Sequence, residues 1–104
     1  MSQIFPDRKL LIFADPDLVL KRQQSALIEK EAAGIKEREL TVVLVKKEKN
    51  LYEKYKVKYH QFTVILIGKD GYEKYRTNNL LEMIQLFSII DAMPMRKNEM
   101  KKTN

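Results

Sequence analysis

Residues 62–76 read FTVILIGKDGYEKYR. Residues 62–67 form an unbroken run of apolar and β-prone side chains, the pattern of a strand buried on both faces. The run stops at Gly68-Lys69-Asp70-Gly71. Asp-Gly is a strong hairpin signal, because Gly accepts the positive φ that a tight turn needs. Tyr72, Glu73, Lys74, Tyr75 and Arg76 then alternate, as in a strand with one wet face near a sheet edge. The stretch predicts an antiparallel hairpin with a central first strand and an outer second strand.

Upstream, residues 9–14 (KLLIFA) are a second short apolar run and read as another central strand. Asp15-Pro16-Asp17 follows. Asp15 suits an N-cap, Pro16 the first helical position, and Asp17 the first turn beside the positive end of the helix dipole. A helix is predicted from about residue 16 to about residue 34. Leu20, Leu27, Ile28 and Ile35 share its broad apolar face, with Ala32 at the margin. Gln24 and Glu31 fall inside that stripe. A polar residue there either lies at an exposed end or is buried with a partner.

Residues 40–45 (LTVVLV) make the next strand, so strand, helix and strand imply a parallel crossover. Residues 46–49 form a charged loop. In residues 51–59 (LYEKYKVKY), Leu51, Tyr52 and Tyr55 fit one helical turn with Asn50 as its N-cap. Val57 and Tyr59 fit an extended exit, through His60 and Gln61, into the hairpin. Beyond the hairpin, Asn79 and Glu82 match a variant of the capping box. Leu80, Met83, Ile84, Phe87 and Ile90 recur at helical spacing and predict a helix packed on the sheet, ending near Met93-Pro94. Residues 1–95 read as one domain. Residues 96–104 read as a basic tail, in which Arg96, Lys97, Lys101 and Lys102 face the single acid Glu99, with one more helical turn expected near its start.

The order is β-α-β-α-β-β-α, with a parallel pair, an antiparallel hairpin and helices on both faces. This is an α/β fold: a single-domain, thioredoxin-like three-layer sandwich. Its four-stranded mixed sheet is expected in the order 2-1-3-4, which centres the doubly buried runs.

A chain of 104 residues with 44% hydrophobic side chains supports one core and one domain. Cysteine is absent, which removes disulfides, thiolate catalysis and Cys-based zinc sites together. No apolar run approaches the roughly 20 residues of a membrane span, and no basic-then-apolar leader opens the chain. As written, the chain reads as soluble with no export signal. The formal net charge of +6 favours contact with anionic surfaces.

The hairpin stretch, followed by IIDAMPMRKNEM and preceded by RKLLIFA and GIKERELTVVLV, resembles a family catalogued as a domain of unknown function. That family occurs in small bacterial proteins and in vertebrate coiled-coil-domain matrix and sushi-repeat proteins. The resemblance covers roughly residues 8–100. It is most specific at residues 63–71, TVILIGKDG, and 91–96, DAMPMR. It implies a thioredoxin- or peroxiredoxin-like fold, an often exported or extracellular setting, and no established enzymatic activity.

Thioredoxin-like enzymes place a reactive cysteine where the first strand meets the first helix, because helix N–H groups lower its pKa. Here that place holds Asp15-Pro16-Asp17-Leu18. Their second hallmark, a cis-proline before the third strand, is replaced by Gln61. Asp15 and Asp17, one residue apart at a helix start, suit capping better than paired acid/base work. His60 is the sole histidine, and no carboxylate cluster has calcium-loop spacing. The residues 68–71 lack the length and the Lys-Ser/Thr ending of a nucleotide loop. Met93, Met95 and Met100 read as closing the core.

A basic stretch with interleaved aromatics remains: Lys46, Lys47, Lys49, Lys54, Lys56 and Lys58 among Tyr52, Tyr55 and Tyr59. Such a mixture can hold phosphates or sulfates and stack bases or sugars. The expected function is a non-catalytic, thioredoxin-like protein-binding or structural module. The alternatives are a module for anionic polymers (sulfated glycan or nucleic acid) and, disfavoured by the missing cysteine, a redox or peroxide-handling enzyme. Candidate binding residues are Asp15, Asp17, Gln24, His60, Gln61, Lys46, Lys47 and Lys49. No cofactor, metal or catalytic group is expected, and the expected partner is a protein.

Overall fold

In a computed structural model, residues 7–15, 17–46 and 49–102 are described, with the backbone alone at 49, 101 and 102. Pro16 lies outside the described residues. The strands are β1 (Arg8–Phe13), β2 (Leu40–Val45), β3 (Thr63–Ile67) and β4 (Glu73–Thr77). The helices are α1 (Leu18–Lys30), α2 (Ala32–Glu37), α3 (Lys49–Lys54), α4 (Met83–Asp91) and α5 (Pro94–Lys102).

The sheet order is β2-β1-β3-β4, as expected. β1 and β2 run parallel, from Arg8↔Leu40 to Phe13↔Val45. β3 is antiparallel to both β1 and β4. All five residues of β3 are buried, as a doubly covered central strand requires. Side chains alternate across the sheet because the strand period is two. Leu10, Ile12, Val64 and Leu66 join one core with Leu20, Leu27 and Ile28 of α1, Ile35 of α2, and Leu86 and Ile90 of α4. Leu11, Phe13, Ile65 and Ile67 join a second core with Tyr52 and Val57. Helices therefore cover both faces, giving three layers.

The hairpin turns where its sequence signals it. Gly71 adopts φ 85°, and the Asp70 carboxylate accepts from the Tyr72 N–H at 3.0 Å, tightening the turn. β4 is exposed at Glu73, Lys74 and Arg76, as an edge strand is.

Helix boundaries depart from the sequence reading. The predicted single helix is two, α1 and α2, broken at the exposed Glu31. The break turns α2 so that Ile35 is buried and Gly34 meets Phe87. A Cβ at Gly34 would sit 2.9 Å from that ring. Asp17, not Asp15, is the N-cap of α1, accepting from the Leu20 N–H at 3.0 Å. Asn50 lies inside α3 rather than capping it.

The Asn79/Glu82 capping box does not form. Glu82 itself precedes α4 in extended conformation without a side-chain cap. Residues 78–82 stay outside the helix, with a bend at Asn78 and Asn79, and are held by other bonds, including Asn78 Nδ2 to the Phe62 carbonyl at 3.1 Å. Met83, Leu86 and Ile90 fall within about 60° of one another around the helix and are buried, while Ile84, about 100° round from Met83, is 80% exposed. Finally, α5 runs nine residues where one turn was expected. Pro94 is its first residue, where a missing N–H costs nothing.

Candidate functional site

The strand registers sort the polar residues to two ends of the sheet. Where β1 and β2 finish and β3 begins lie Asp15, Asp17, Lys46, His60 and Gln61. Where β1 and β2 begin and β3 finishes lie Arg8, Glu39, Gly68 and Lys69.

At the first end, Asp15 sits half-buried beside Tyr52. Tyr52 is 1% exposed, and its ring meets Phe13 edge-on at 5.0 Å and stacks on Tyr59 at 4.6 Å. Burial, then the nearby Asp15 charge and Tyr59, push the Tyr52 phenol above its ordinary pKa. A phenol held neutral in this way is a poor base at pH 7. His60 is exposed and Gln61 half-buried in the turn ahead of β3. Lys46 is exposed just past β2. Lys47 lies outside the described residues, as does the Lys49 side chain.

Gln24 is elsewhere and serves the fold. It is fully buried. Its Nε2 donates to the Leu81 carbonyl at 2.9 Å, and its Oε1 accepts from the Leu81 N–H at 2.8 Å. The side chain thus clips α1 to the segment before α4.

The second end carries an ion-pair network. Arg8, 1% exposed, donates to both Glu99 oxygens at 3.2 and 3.1 Å and to the Arg38 carbonyl at 2.7 Å. Lys69 pairs with Glu39 and donates to Glu99 at 2.7 Å. Arg38 grips Asp91 with two bonds, at 3.1 and 2.9 Å, and lies 3.9 Å over the Phe87 ring. Arg96, buried on α5, donates to Asp91 at 3.2 Å and reaches Glu37 at 3.4 Å. Four cations and four acids balance, and the network fastens α5 to the sheet.

Beside the network, a groove of about 450 Å³ opens between the hairpin turn and the α4–α5 corner. Ile89, Ala92, Met93, Pro94 and Met95 form its apolar wall, and Gly68, Lys69 and Lys74 the opposite one. Burial alone would raise Glu99, but hydrogen bonds from Arg8 and Lys69 hold it below the usual carboxylate range. Asp91 is depressed likewise, burial being outweighed by Arg38 and Arg96. Burial opposes the Lys69 charge, yet Glu39 and Glu99 raise its pKa. Every shifted group at this end is driven away from neutrality. Among the described residues no three metal-ligating side chains gather, and no helix is long and apolar enough to cross a membrane.

Residues 6–99 match the family described as Domain of unknown function (DUF4174). The chain belongs to this family. Two relatives of the DUF4174 domain are sushi repeat-containing protein SRPX of Rattus norvegicus and of Homo sapiens. Each is 28% identical over 120 residues, covering 96% of this chain and 26% of the relative. The chain therefore spans about a quarter of the length of the curated relatives it matches. A solved chain described as "Structure of a malarial protein" superposes with a TM-score of 0.64 at 22% identity. That match covers 82% of this chain and 94% of the other, and it is a likeness of fold.

Within the DUF4174 domain, the network of Arg8, Arg38, Lys69, Asp91, Arg96 and Glu99 escapes the sequence reading. Arg8 and Glu99 are 91 positions apart, so no local spacing announces the pair. The one available signal is Arg96 and Glu99 at helical i,i+3 spacing.

Proposed function

We propose that this DUF4174 domain is a non-catalytic, thioredoxin-like module that acts through binding or structure, with a protein as its partner. One observation carries the reading. The titratable groups with shifted pKa values are all fixed in one charge state at neutral pH: acids are pushed down, and Lys69 and the Tyr52 phenol are pushed up. Acid/base sites are tuned the opposite way, toward the working pH. The β1–α1 corner agrees with this. The N–H that could stabilise a thiolate there is taken by the carboxylate of Asp17.

In the SRPX relatives the matching region is about a quarter of a longer chain whose name records sushi repeats. There the domain is one part of a modular protein, a setting that suits a binding or structural role.

The test is turnover by the purified chain in an insulin-disulfide reduction assay and a peroxide-consumption assay. The expected result is no rate above buffer in either. A rate proportional to protein concentration, surviving repurification, overturns the reading.

A further inference from the structure

The charges of this chain are not evenly spread. The ion-pair network is itself neutral, its four cations met by four acids. In the hairpin, Lys74 pairs with Asp70 and Arg76 with Glu73. The excess lies in residues 46–58, where six lysines and two glutamates give +4 of the net +6. The segment contains α3. Lys46, Lys54, Lys56 and Lys58 are all exposed. Lys46, Lys56 and Lys58 enter no ion pair among the described residues.

The apolar residues of the same segment are spent on the core. Tyr52 and Val57 are buried, and Leu51 and Tyr55 pack against them. Tyr59 lies against the Tyr52 ring. Of the three rings only Tyr59 is exposed, with one face already on Tyr52, so the row of free rings on which successive bases of a single strand stack is missing from the described surface. The segment has no arginine, so the bidentate fork that reads guanine edges is also missing. What the surface offers is a set of lysine point charges.

Lys56 supplies an independent observation. After α3, the Val57 N–H bonds back to the Tyr52 carbonyl at 2.9 Å and the Lys56 N–H to the Glu53 carbonyl at 3.2 Å. Val57 and Tyr52 meet in the core. This is a Schellman ending, whose left-handed position usually holds Gly or Asn. Here it holds Lys56 at φ 54°. A strained backbone kept at an exposed cation, in the most charged part of the chain, points to use of that cation.

We infer that the α3 face binds a sulfated polysaccharide, with Lys46, Lys54, Lys56 and Lys58 meeting its sulfates. Recognition is by charge, and it is separate from the groove at the other end of the sheet.

The test is affinity chromatography and titration of the full chain on heparin, with dextran sulfate and a short DNA duplex as competitors. Two triple variants remove equal charge. One is Lys54→Gln, Lys56→Gly and Lys58→Gln; the other, on α1, is Lys21→Gln, Arg22→Gln and Lys30→Gln. The α3 variant is expected to elute from heparin at lower salt, and its slope of log K against log salt to fall by roughly one per contacting lysine lost. The α1 variant is expected to elute close to the parent. Lys56→Gly alone should weaken retention without lowering the melting temperature, which separates lost binding from lost fold. Equal losses in both triples reduce the effect to net charge and overturn the assignment. Tighter binding to the duplex than to heparin, or no retention at low salt, overturns it as well.

Discussion

Replacing Gln24 with leucine tests the clip between α1 and the segment before α4. Leucine is a good helix former and its volume is close to that of glutamine, so α1 and the core shape are kept. What is lost is the pair of hydrogen bonds to the Leu81 N–H and carbonyl, at 2.8 and 2.9 Å. Leu81 is 1% exposed, so water does not readily replace them. Each orphaned backbone group costs about 1–3 kcal/mol, and the apolar gain of leucine returns about half of the sum, leaving about 2 kcal/mol. For a domain of 104 residues that is a fall of roughly 10 °C in Tm. Urea unfolding followed by circular dichroism should show a lower midpoint with an unchanged slope, since the exposed surface is the same. The Leu81 amide, slow to exchange in the parent, should exchange faster in the variant. A loss below about 0.5 kcal/mol, the ordinary range of surface changes, refutes the clip. So does an unchanged Leu81 exchange rate.

Two further outcomes follow from local geometry. Lys56→Gly relieves a non-glycine residue at φ 54° and should stabilise the fold by about 1 kcal/mol; a lower Tm would show that the lysine stem contributes more packing than its backbone costs. Glu99→Gln leaves the buried Arg8 charge short of its partner and should cost about 3 kcal/mol at pH 7. The folded pKa of Glu99 is depressed, so its contribution is complete above the ordinary value of 4.5 and is lost as pH falls through the lower folded value. Asp91 behaves alike from its ordinary value of 3.8. Parent stability should therefore be flat near neutrality and fall below about pH 4.5, with the gap to Glu99→Gln narrowing on acidification; a gap equal at pH 7 and pH 3 would sink the assignment.

The elements that could be read from sequence are those specified by neighbours in the chain. The unbroken run at residues 62–67 has only one comfortable place, a central strand, and Asp70-Gly71 leaves the next strand beside it. With the buried run at 10–14, these patterns settle the order β2-β1-β3-β4. The helix ends were less legible because competing caps lie one or two residues apart. Asp15 and Asp17 both offer a carboxylate, and the choice between them depends on how the chain leaves β1. Asn79 and Glu82 satisfy a local rule, yet residues 78–82 are held outside the helix by Gln24 and by Asn78. Ile84 fits the helical period and is nevertheless exposed, because it lies about 100° round the helix from Met83, at the margin of the face centred on Met83, Leu86 and Ile90. Gln24 was visible as a polar residue in an apolar stripe; its partner, 57 positions away, was not.

The same distinction explains why charge misleads when it is read along the chain alone. Basic residues after Pro94 resemble a solvated tail, but Arg96 is buried, and Glu99 holds Arg8 and Lys69 together. Charge at that end is used internally, to fasten α5 over the start of β1. Around α3 the opposite holds: Tyr52 is buried with Tyr55 packed beside it, while Lys54, Lys56 and Lys58 remain outside. One part of the chain thus spends its charges on holding the fold, and another leaves them available to a partner. Total charge alone could not separate these roles, since a paired arginine and an exposed lysine count equally toward +6. Their response to salt can. The Arg8–Glu99 pair, shielded from solvent on the arginine side, should keep most of its strength at high ionic strength, whereas attraction between the α3 lysines and a polyanion should weaken steeply.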